Sequence, residues 1–139
     1  MLQGEYQHTL DAKGRLILPV KIREELGATF FLTKGLDGCL DIYPMEEWIK
    51  FSERINSLRA SSKEARRLKR YFIGSAVECE PDKQGRFLIS PALREFAKID
   101  KEVTVLGMGD HVEIWSKEVY YEYENDDVSI EEIAEMLEF

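Results

Sequence analysis

The sequence predicts a mainly β protein with short helices, an α+β chain in which two similar halves share one pseudo-twofold sheet or barrel. Three observations lead to this prediction. The chain has 139 residues, enough to bury a core without disulfides or metal. Short apolar runs typical of strands alternate with short helical patterns. This order of elements occurs twice, and a half of roughly 55 residues would bury its apolar faces poorly alone.

The repeat is anchored by two copies of one motif, Asp-x-x-Gly-Arg. DAKGR begins at Asp11 and DKQGR begins at Asp82, and an apolar run follows each copy. Other residues match at the same offset, and the correspondence continues after a one-residue insertion. The matched pairs are Asp11 and Asp82, Gly14 and Gly85, Arg15 and Arg86, Arg23 and Arg94, Glu24 and Glu95, Gly35 and Gly107, Ile42 and Ile114, and Glu46 and Glu118.

Each half is predicted to contain a strand, the motif turn, a second strand, a short helix and a pair of strands. Pro19 ends the second strand of the first half, and Gly27 is well placed to cap its helix. In the first half these elements span residues 5–10, 15–18, 20–26, 29–33 and 38–43. In the second half they span residues 76–80, 86–89, 91–97, 103–106 and 111–115.

Further helices are predicted after each half. Pro44 suits a first helical position, and the residues after it carry an apolar stripe. Two Ser-x-x-Glu patterns, beginning at Ser61 and Ser129, predict capping boxes at the start of later helices. We therefore divide the chain into a first repeat (1–58), a helical basic linker (59–74), a second repeat (75–124) and an acidic C-terminal helix (125–139).

Charge is spread unevenly along the chain. The formal net charge is −8, yet residues 118–139 contain nine acidic residues and no Lys or Arg. The rest of the chain has 19 basic and 18 acidic residues, and residues 54–70 have a local charge of +6. The overall charge therefore does not argue against a nucleic-acid partner.

Composition predicts a cytoplasmic protein. Hydrophobic residues make up 44% and charged residues 33%, as in ordinary soluble globular chains. No apolar run approaches the roughly 20 residues needed to span a bilayer, and the N-terminus lacks the basic and apolar regions of a signal peptide. Neither membrane insertion nor export is expected.

The chemistry of the two motif turns has a structural and a functional interpretation. The aspartates can accept turn N–H groups, and the glycines can adopt the positive φ that closes the turn. The arginines either form a local salt bridge or present a guanidinium fork to phosphate or guanine. Duplication favours the fork, because two symmetry-related forks suit a duplex, and nearby lysines add charge. The predicted DNA-binding residues are Asp11, Lys13, Gly14 and Arg15 with Asp82, Lys83, Gly85 and Arg86.

A resemblance to a known family is carried by four segments: GEYQHTLDAKGRLILPVKIREELG, TKGLDGCLDIYPMEEW, DKQGRFLISPALREFAKI and GMGDHVEIW. They resemble the MraZ proteins, bacterial transcriptional regulators with paired AbrB-like halves, from Met1 to about Trp115. The resemblance implies swapped-hairpin halves that form one double-psi-like barrel, and assembly into a ring-shaped, octamer-like homo-oligomer.

The same resemblance implies a function. It implies binding to promoter direct repeats upstream of the division and cell-wall gene cluster, with repression of that cluster, and hence association with the nucleoid. The family's DNA-contacting Asp-x-x-x-Arg motifs fall on Asp11 with Arg15 and on Asp82 with Arg86.

Metal binding and catalysis find little support in the sequence. The cysteines, Cys39 and Cys79, have no CxxC spacing, so reduced and packed thiols are expected. Repeat symmetry could gather both cysteines with His8 and His111 into a zinc site, but local ligand spacing is absent. No nucleophile motif or phosphate-binding loop occurs, so we expect no enzyme activity, metal or cofactor.

The remaining charged and aromatic residues leave some alternatives open. The basic residues within 59–70 fit a surface helix that pairs with the acidic tail of a neighbouring subunit, or a second DNA contact. An alternative function is an AbrB-like interaction module whose acidic tail binds a protein partner. Aromatic residues are expected in the core and subunit interfaces rather than as base-stacking platforms; they are Tyr6, Trp48, Trp115, Tyr120 and Tyr121.

Overall fold

The two predicted halves fold as matching series of elements in the computed structural model, which describes residues 1–139. The first half contains β1 (Leu2–Thr9), β2 (Arg15–Ile17), α1 (Val20–Leu26), β3 (Phe30–Lys34), a 3₁₀ turn (Leu36–Gly38) and β4 (Leu40–Pro44). Helices α2 (Met45–Asn56) and α3 (Lys63–Phe72) join the halves. The second half contains β5 (Val77–Cys79), β6 (Arg86–Leu88), α4 (Pro91–Phe96), β7 (Glu102–Gly109) and β8 (Val112–Ser116), followed by α5 (Lys117–Glu124) and α6 (Ile130–Met136).

Capping residues set several helix boundaries. Gly27 has φ of 81° and donates its N–H to the last turn of α1, which confirms its predicted capping role. The Ser129 hydroxyl accepts an N–H at the start of α6, as predicted. The predicted cap of α3 is wrong by one residue. Ser62 rather than Ser61 caps this helix, because the Ser62 hydroxyl accepts the N–H of Ala65.

Six strands form one antiparallel sheet in the order β1-β7-β8-β4-β3-β5. The central strands, β4 and β8, occupy equivalent places in the two halves, so a pseudo-twofold axis passes between them. Each half places its first strand against the third strand of the other half, β1 with β7 and β5 with β3. The remaining equivalent strands, β2 and β6, pair as a separate two-stranded ribbon.

The hydrophobic core joins the ribbon, α1 and α4 to one face of the sheet. Phe30 of the sheet packs edge-to-face on Phe87 of the ribbon, with ring centroids 5.1 Å apart. The two halves contribute to the core from equivalent positions, because the repeat brings the same apolar pattern to both sides of the axis. These pairs are Leu16 and Phe87, Leu18 and Ile89, Ile22 and Leu93, and Leu26 and Ala97.

Aromatic side chains cover the opposite face of the sheet. Phe31 stacks on Trp48 of α2 at 5.1 Å, and Trp115 meets Tyr120 of α5 at 5.3 Å. Both tryptophans are buried, which confirms their prediction as core residues, whereas Tyr121 is exposed in the single chain. Helices α2, α3 and α5 therefore act as a cover for the sheet, and the amphipathic patterns of α2 and α3 suit this role.

The predicted closed barrel is wrong, because the sheet is open. Strands β1 and β5 lie at opposite edges with four strands between them, and β5 has only three residues. Strands β2 and β6 pair only with each other, so the ribbon does not join the two edges of the sheet. The chain is a mixed α+β fold with an antiparallel sheet and short helices. None of its helices combines the length and the apolar composition of a membrane span.

Candidate nucleic-acid interface

Each Asp-x-x-Gly-Arg motif folds into a tight turn that leads into a ribbon strand. Asp11 Oδ1 accepts the backbone N–H groups of Lys13 and Arg15, both at 2.9 Å. Gly14 has φ of 80°, a value that favours glycine. The turn at Asp82 repeats both hydrogen bonds at 2.9 Å, and its glycine has φ of 82°. The predicted turn chemistry of aspartate and glycine is therefore confirmed.

The aspartate of each turn also holds the arginine. Arg15 Nε donates to Asp11 Oδ2 at 2.7 Å, and Arg86 Nε donates to Asp82 Oδ2 at 2.7 Å. Both terminal nitrogens of each guanidinium remain free of hydrogen bonds within the chain. From the sequence, each arginine could either form a salt bridge or present its guanidinium to a ligand. The structure shows that Nε can form the salt bridge while both terminal nitrogens stay available.

The hydrogen bonds of each turn favour an ionised aspartate. The backbone N–H of Arg15 lowers the pKa of Asp11, and the Arg15 side chain lowers it further. The same two groups of Arg86 lower the pKa of Asp82. An ionised carboxylate accepts on both oxygens, so it can orient the backbone and the guanidinium together.

The ribbon presents both arginines on one face. Arg15 lies opposite Leu88, and Ile17 lies opposite Arg86, while the middle residue of each strand faces the core. Ile17 and Leu88 are 40% and 52% exposed beside the arginines. The arginines are diagonal neighbours, roughly 7–8 Å apart at their α-carbons. The two arginines therefore lie on one partly exposed surface, which we call the ribbon face, and one turn lies at each end of the ribbon. The glycines of both turns are buried.

The two predicted lysines do not occupy equivalent positions. Lys13 is the third residue of its turn, whereas Lys83 is the second residue of the other turn. Both side chains are exposed and form no ion pair within the chain. They add positive charge near the ribbon face, but at a different position of the turn in each half.

A second pair of arginines near the turns was not assigned from the sequence. Arg23 Nε donates to Leu18 O and Arg94 Nε donates to Ile89 O, both at 2.9 Å. Each guanidinium lies against the glycine of the opposite turn: a β-carbon on Gly14 would lie 2.7 Å from Arg94 Cζ. The repeat shows that these arginines correspond, but only the folded chain shows that each one supports the turn of the other half.

The four possible zinc ligands are not brought together. His8 lies on β1 and Cys79 on β5, at opposite edges of the sheet. Both cysteines are free and buried, which confirms the prediction of reduced, packed thiols. Another set of groups that could hold a metal lies near the pseudo-twofold axis, where ligand atoms of Cys39, Asp41 and Glu113 are within 4.8 Å of one another.

Asp41 has an unfavourable environment for a charge. Its carboxylate is buried, and the one basic side chain within 4 Å of it is His111, with Nε2 3.9 Å from Asp41 Oδ1. Burial raises the pKa of Asp41 to about 6; the His111 ring opposes this effect and Glu113 adds to it. Burial likewise raises the pKa of the Cys39 thiol, so the thiol stays protonated. The carboxylate at this position therefore costs stability at neutral pH.

Replacing Asp41 with asparagine is expected to stabilise the protein at pH 7.5 by about 1–3 kcal/mol. The native carboxyl holds its proton more tightly than the unfolded one, so stability falls as pH rises from about 4 to about 6. The gain should therefore vanish near pH 4. Urea denaturation of D41N and wild type at both pH values measures it, with the exposed Asp100→Asn as control. If D41N is more stable than wild type by the same amount at both pH values, or is less stable at pH 7.5, then burial of the Asp41 carboxylate does not cost the stability assigned to it.

Comparison with known proteins places this fold among its relatives. A family model described as "MraZ protein, putative antitoxin-like" matches residues 1–71 and again residues 72–138. A "Transcriptional regulator MraZ" of Thermoanaerobacter sp. (strain X514) is 57% identical over 99% of this chain and 97% of its own length. Proteins of the same name from Caldanaerobacter subterraneus subsp. tengcongensis and Carboxydothermus hydrogenoformans are 55% and 50% identical, over 99% of this chain and 97% and 96% of their own lengths.

The relatives that match this chain are named as transcriptional regulators, which are not a class of enzymes. The match extends over both halves and nearly the full length of each relative. The chain belongs to the MraZ family.

Proposed function

We propose that this protein is a sequence-specific DNA-binding regulator that binds promoter direct repeats upstream of the division and cell-wall gene cluster and represses it. The observation that carries the proposal is the pair of guanidinium groups on the ribbon face, each held through Nε and free at both terminal nitrogens. Two such nitrogens match the spacing of guanine O6 and N7 or of two phosphate oxygens.

The residues of the two turns have separate roles in this proposal. The arginines contact DNA, the aspartates orient them, the glycines give the turn its shape, and the lysines contact phosphate. The proposed DNA-binding residues are Arg15, Asp11, Gly14 and Lys13 with Arg86, Asp82, Gly85 and Lys83. The exposed apolar residues between the arginines suit contact with a thymine methyl group in the same groove.

A repeated target suits a protein whose single copy makes few contacts. Each base pair read by an arginine fork contributes about 1–3 kcal/mol of discrimination, too little for strong binding by one pair of turns. Linked copies raise the effective affinity when each copy meets one repeat. We therefore include a ring-shaped, octamer-like homo-oligomer in the proposal, and the cytoplasm and nucleoid as its location, because its target is chromosomal DNA.

The internal organisation expected from the sequence is retained as part of the proposal. The exchange of first strands between the halves supports an AbrB-like, swapped-hairpin relation of the repeats 1–58 and 75–124. The linker 59–74 and the tail 125–139 lie outside this exchanged unit. They are therefore free to serve assembly rather than DNA recognition.

A second candidate function is a protein-interaction module whose acidic tail binds another protein. The observation in its favour is α6, whose apolar side chains are uncovered in the single chain. This function does not account for the paired arginine turns, so we rank it below DNA binding.

The function is tested by selecting duplexes that bind the protein from a random pool and sequencing them. We expect a short motif that recurs in one orientation. Fluorescence anisotropy on duplexes with one, two and four copies should show affinity rising more steeply than the number of copies. Affinity should also fall as salt rises from 50 to 200 mM. A scrambled duplex is the control, and equal binding to scrambled and repeated duplexes would contradict the proposal.

A further inference from the structure

The C-terminal helix α6 has an apolar face that is largely exposed in the single chain. Ile130, Met136 and Leu137 are 72%, 67% and 75% exposed. A helix of seven residues is too short to be stable in water by its backbone hydrogen bonds alone. Its stability therefore depends on a surface that buries this face.

A groove between α2 and α3 has the character of such a surface. It encloses about 480 Å³, with an apolar floor and a basic rim. Ile55 lies in the last turn of α2, Leu58 lies two residues beyond this helix, and Ile73 directly follows α3; together they form the floor. The rim contains Arg66, Lys69 and Arg70. Leu58 is exposed, so part of the floor is open to solvent.

The charges of the tail and of α3 are opposite. Residues 125–139 contain six acidic residues and no Lys or Arg, whereas α3 contains five basic residues and one acidic residue. None of these tail acids and none of these basic residues takes part in an ion pair within the chain. An acidic amphipathic helix and a basic-rimmed apolar groove are complementary in both charge and hydrophobicity.

The groove and the helix lie on separate parts of the same chain. No residue of 125–139 lines the groove, and no residue of α6 is buried in the single chain. A donor helix and an acceptor groove at different sites give a head-to-tail interface, which closes into a ring when the rotation between copies allows it. The occupant that this arrangement favours is the tail of a second copy.

We propose that α6 of one copy docks in the α2–α3 groove of the next copy, with its apolar face on the groove floor and its glutamates against the basic rim. The docking itself does not depend on DNA binding. Its role in aligning copies on repeated DNA rests on the proposed function.

The first test measures the mass of the assembled protein by sedimentation and light scattering. We expect wild type to exceed the 16.2 kDa of one chain and the double variant I133D/L137D to fall towards it, with at least about a tenfold rise in the dissociation constant. The matched control, Val20→Asp, changes another exposed apolar residue and should leave the mass unchanged. A monomeric wild type, or an unchanged mass in the double variant, would overturn the proposal.

Charge exchange tests the pairing of tail and rim. The double variant K69E/R70E should dissociate like the apolar tail variant, because glutamates then face glutamates. Adding E132K/E135K to the same chain should restore the mass. Failure of the added pair to restore assembly, with both proteins folded by circular dichroism, would contradict the predicted contact.

A cross-link distinguishes a second copy from the chain's own tail. One chain carries Leu137→Cys, a second chain of different mass carries Leu58→Cys, and both native cysteines are buried and spared. A disulfide between the two chains supports the proposal. A disulfide that forms only within a chain carrying both substitutions would show that the tail folds on its own groove. If the wild-type protein assembles and cross-links as expected but does not bind repeat-containing DNA, only the proposed function is contradicted.

Discussion

Replacing Arg15 and Arg86 together by alanine is expected to lower the affinity for a repeat-containing duplex by at least about a hundredfold. Each arginine is held by its aspartate at 2.7 Å and offers two free nitrogens on the ribbon face. Alanine removes the donors but leaves the backbone hydrogen bonds of the turn in place, because those use the Asp11 and Asp82 oxygens and main-chain N–H groups. Anisotropy titrations at fixed salt measure the loss.

Two further variants separate charge from geometry. Arginine-to-lysine substitution at both positions keeps the charge but loses the planar fork, so discrimination between the repeat and a scrambled duplex should fall more than overall affinity. Arg54→Ala removes an exposed arginine of α2, outside both the ribbon face and the basic linker, and is the control. The DNA-binding role of the turns is wrong if the double alanine variant, folded and assembled like wild type, binds the repeat with unchanged affinity.

Phe87→Ala is expected to lower the free energy of unfolding by about 3–5 kcal/mol. Phe87 is 5% exposed and packs edge-to-face on Phe30, so it attaches the ribbon to the sheet. Its removal leaves a cavity between the two, and the ribbon face then loses its rigid support. Urea denaturation measures the loss of stability, and the same variant should bind DNA more weakly at temperatures where it remains folded.

The neighbouring residue offers a matched control for this effect. Leu88 follows Phe87 in β6 but points outward and is 52% exposed, so Leu88→Ala should change stability by no more than about 0.5 kcal/mol. Equal losses for the two substitutions would show that the ribbon does not depend on the core contact described above.

The internal repeat is the reason that much of the fold follows from the sequence. It predicts β2, β6, α1 and α4, because each element of one half has a counterpart in the other half. Whether the sheet closes into a barrel could not be predicted, since closure depends on which strand lies at each edge and on how long that strand is. Helix α5 was also not predicted, because its sequence, KEVYYEYE, has no clear apolar stripe. In the structure this helix begins after Ser116, whose hydroxyl accepts the N–H of Val119.

The candidate site was partly predictable for a similar reason. The hydrogen bonds of each turn are local in sequence, so Asp11 and Gly14 predict their own geometry. The support of Gly14 by Arg94 joins residues of different halves, and no spacing along the chain indicates it. The buried Asp41 also escaped prediction, since alternation in β4 does not show that α2 packs against this strand or that the His111 ring lies beside the carboxylate.

The covalent joining of two unequal halves gives the ribbon face a polarity. Two identical chains around a true twofold axis would read the same bases in both directions, as on a palindrome. Here the turns DAKGR and DKQGR differ, because their lysines occupy non-equivalent positions. Every copy of the chain carries one turn of each sequence. On the proposed DNA-binding role, a site read by such a face would have a beginning and an end. Copies held in the same orientation therefore meet successive sites that all run the same way.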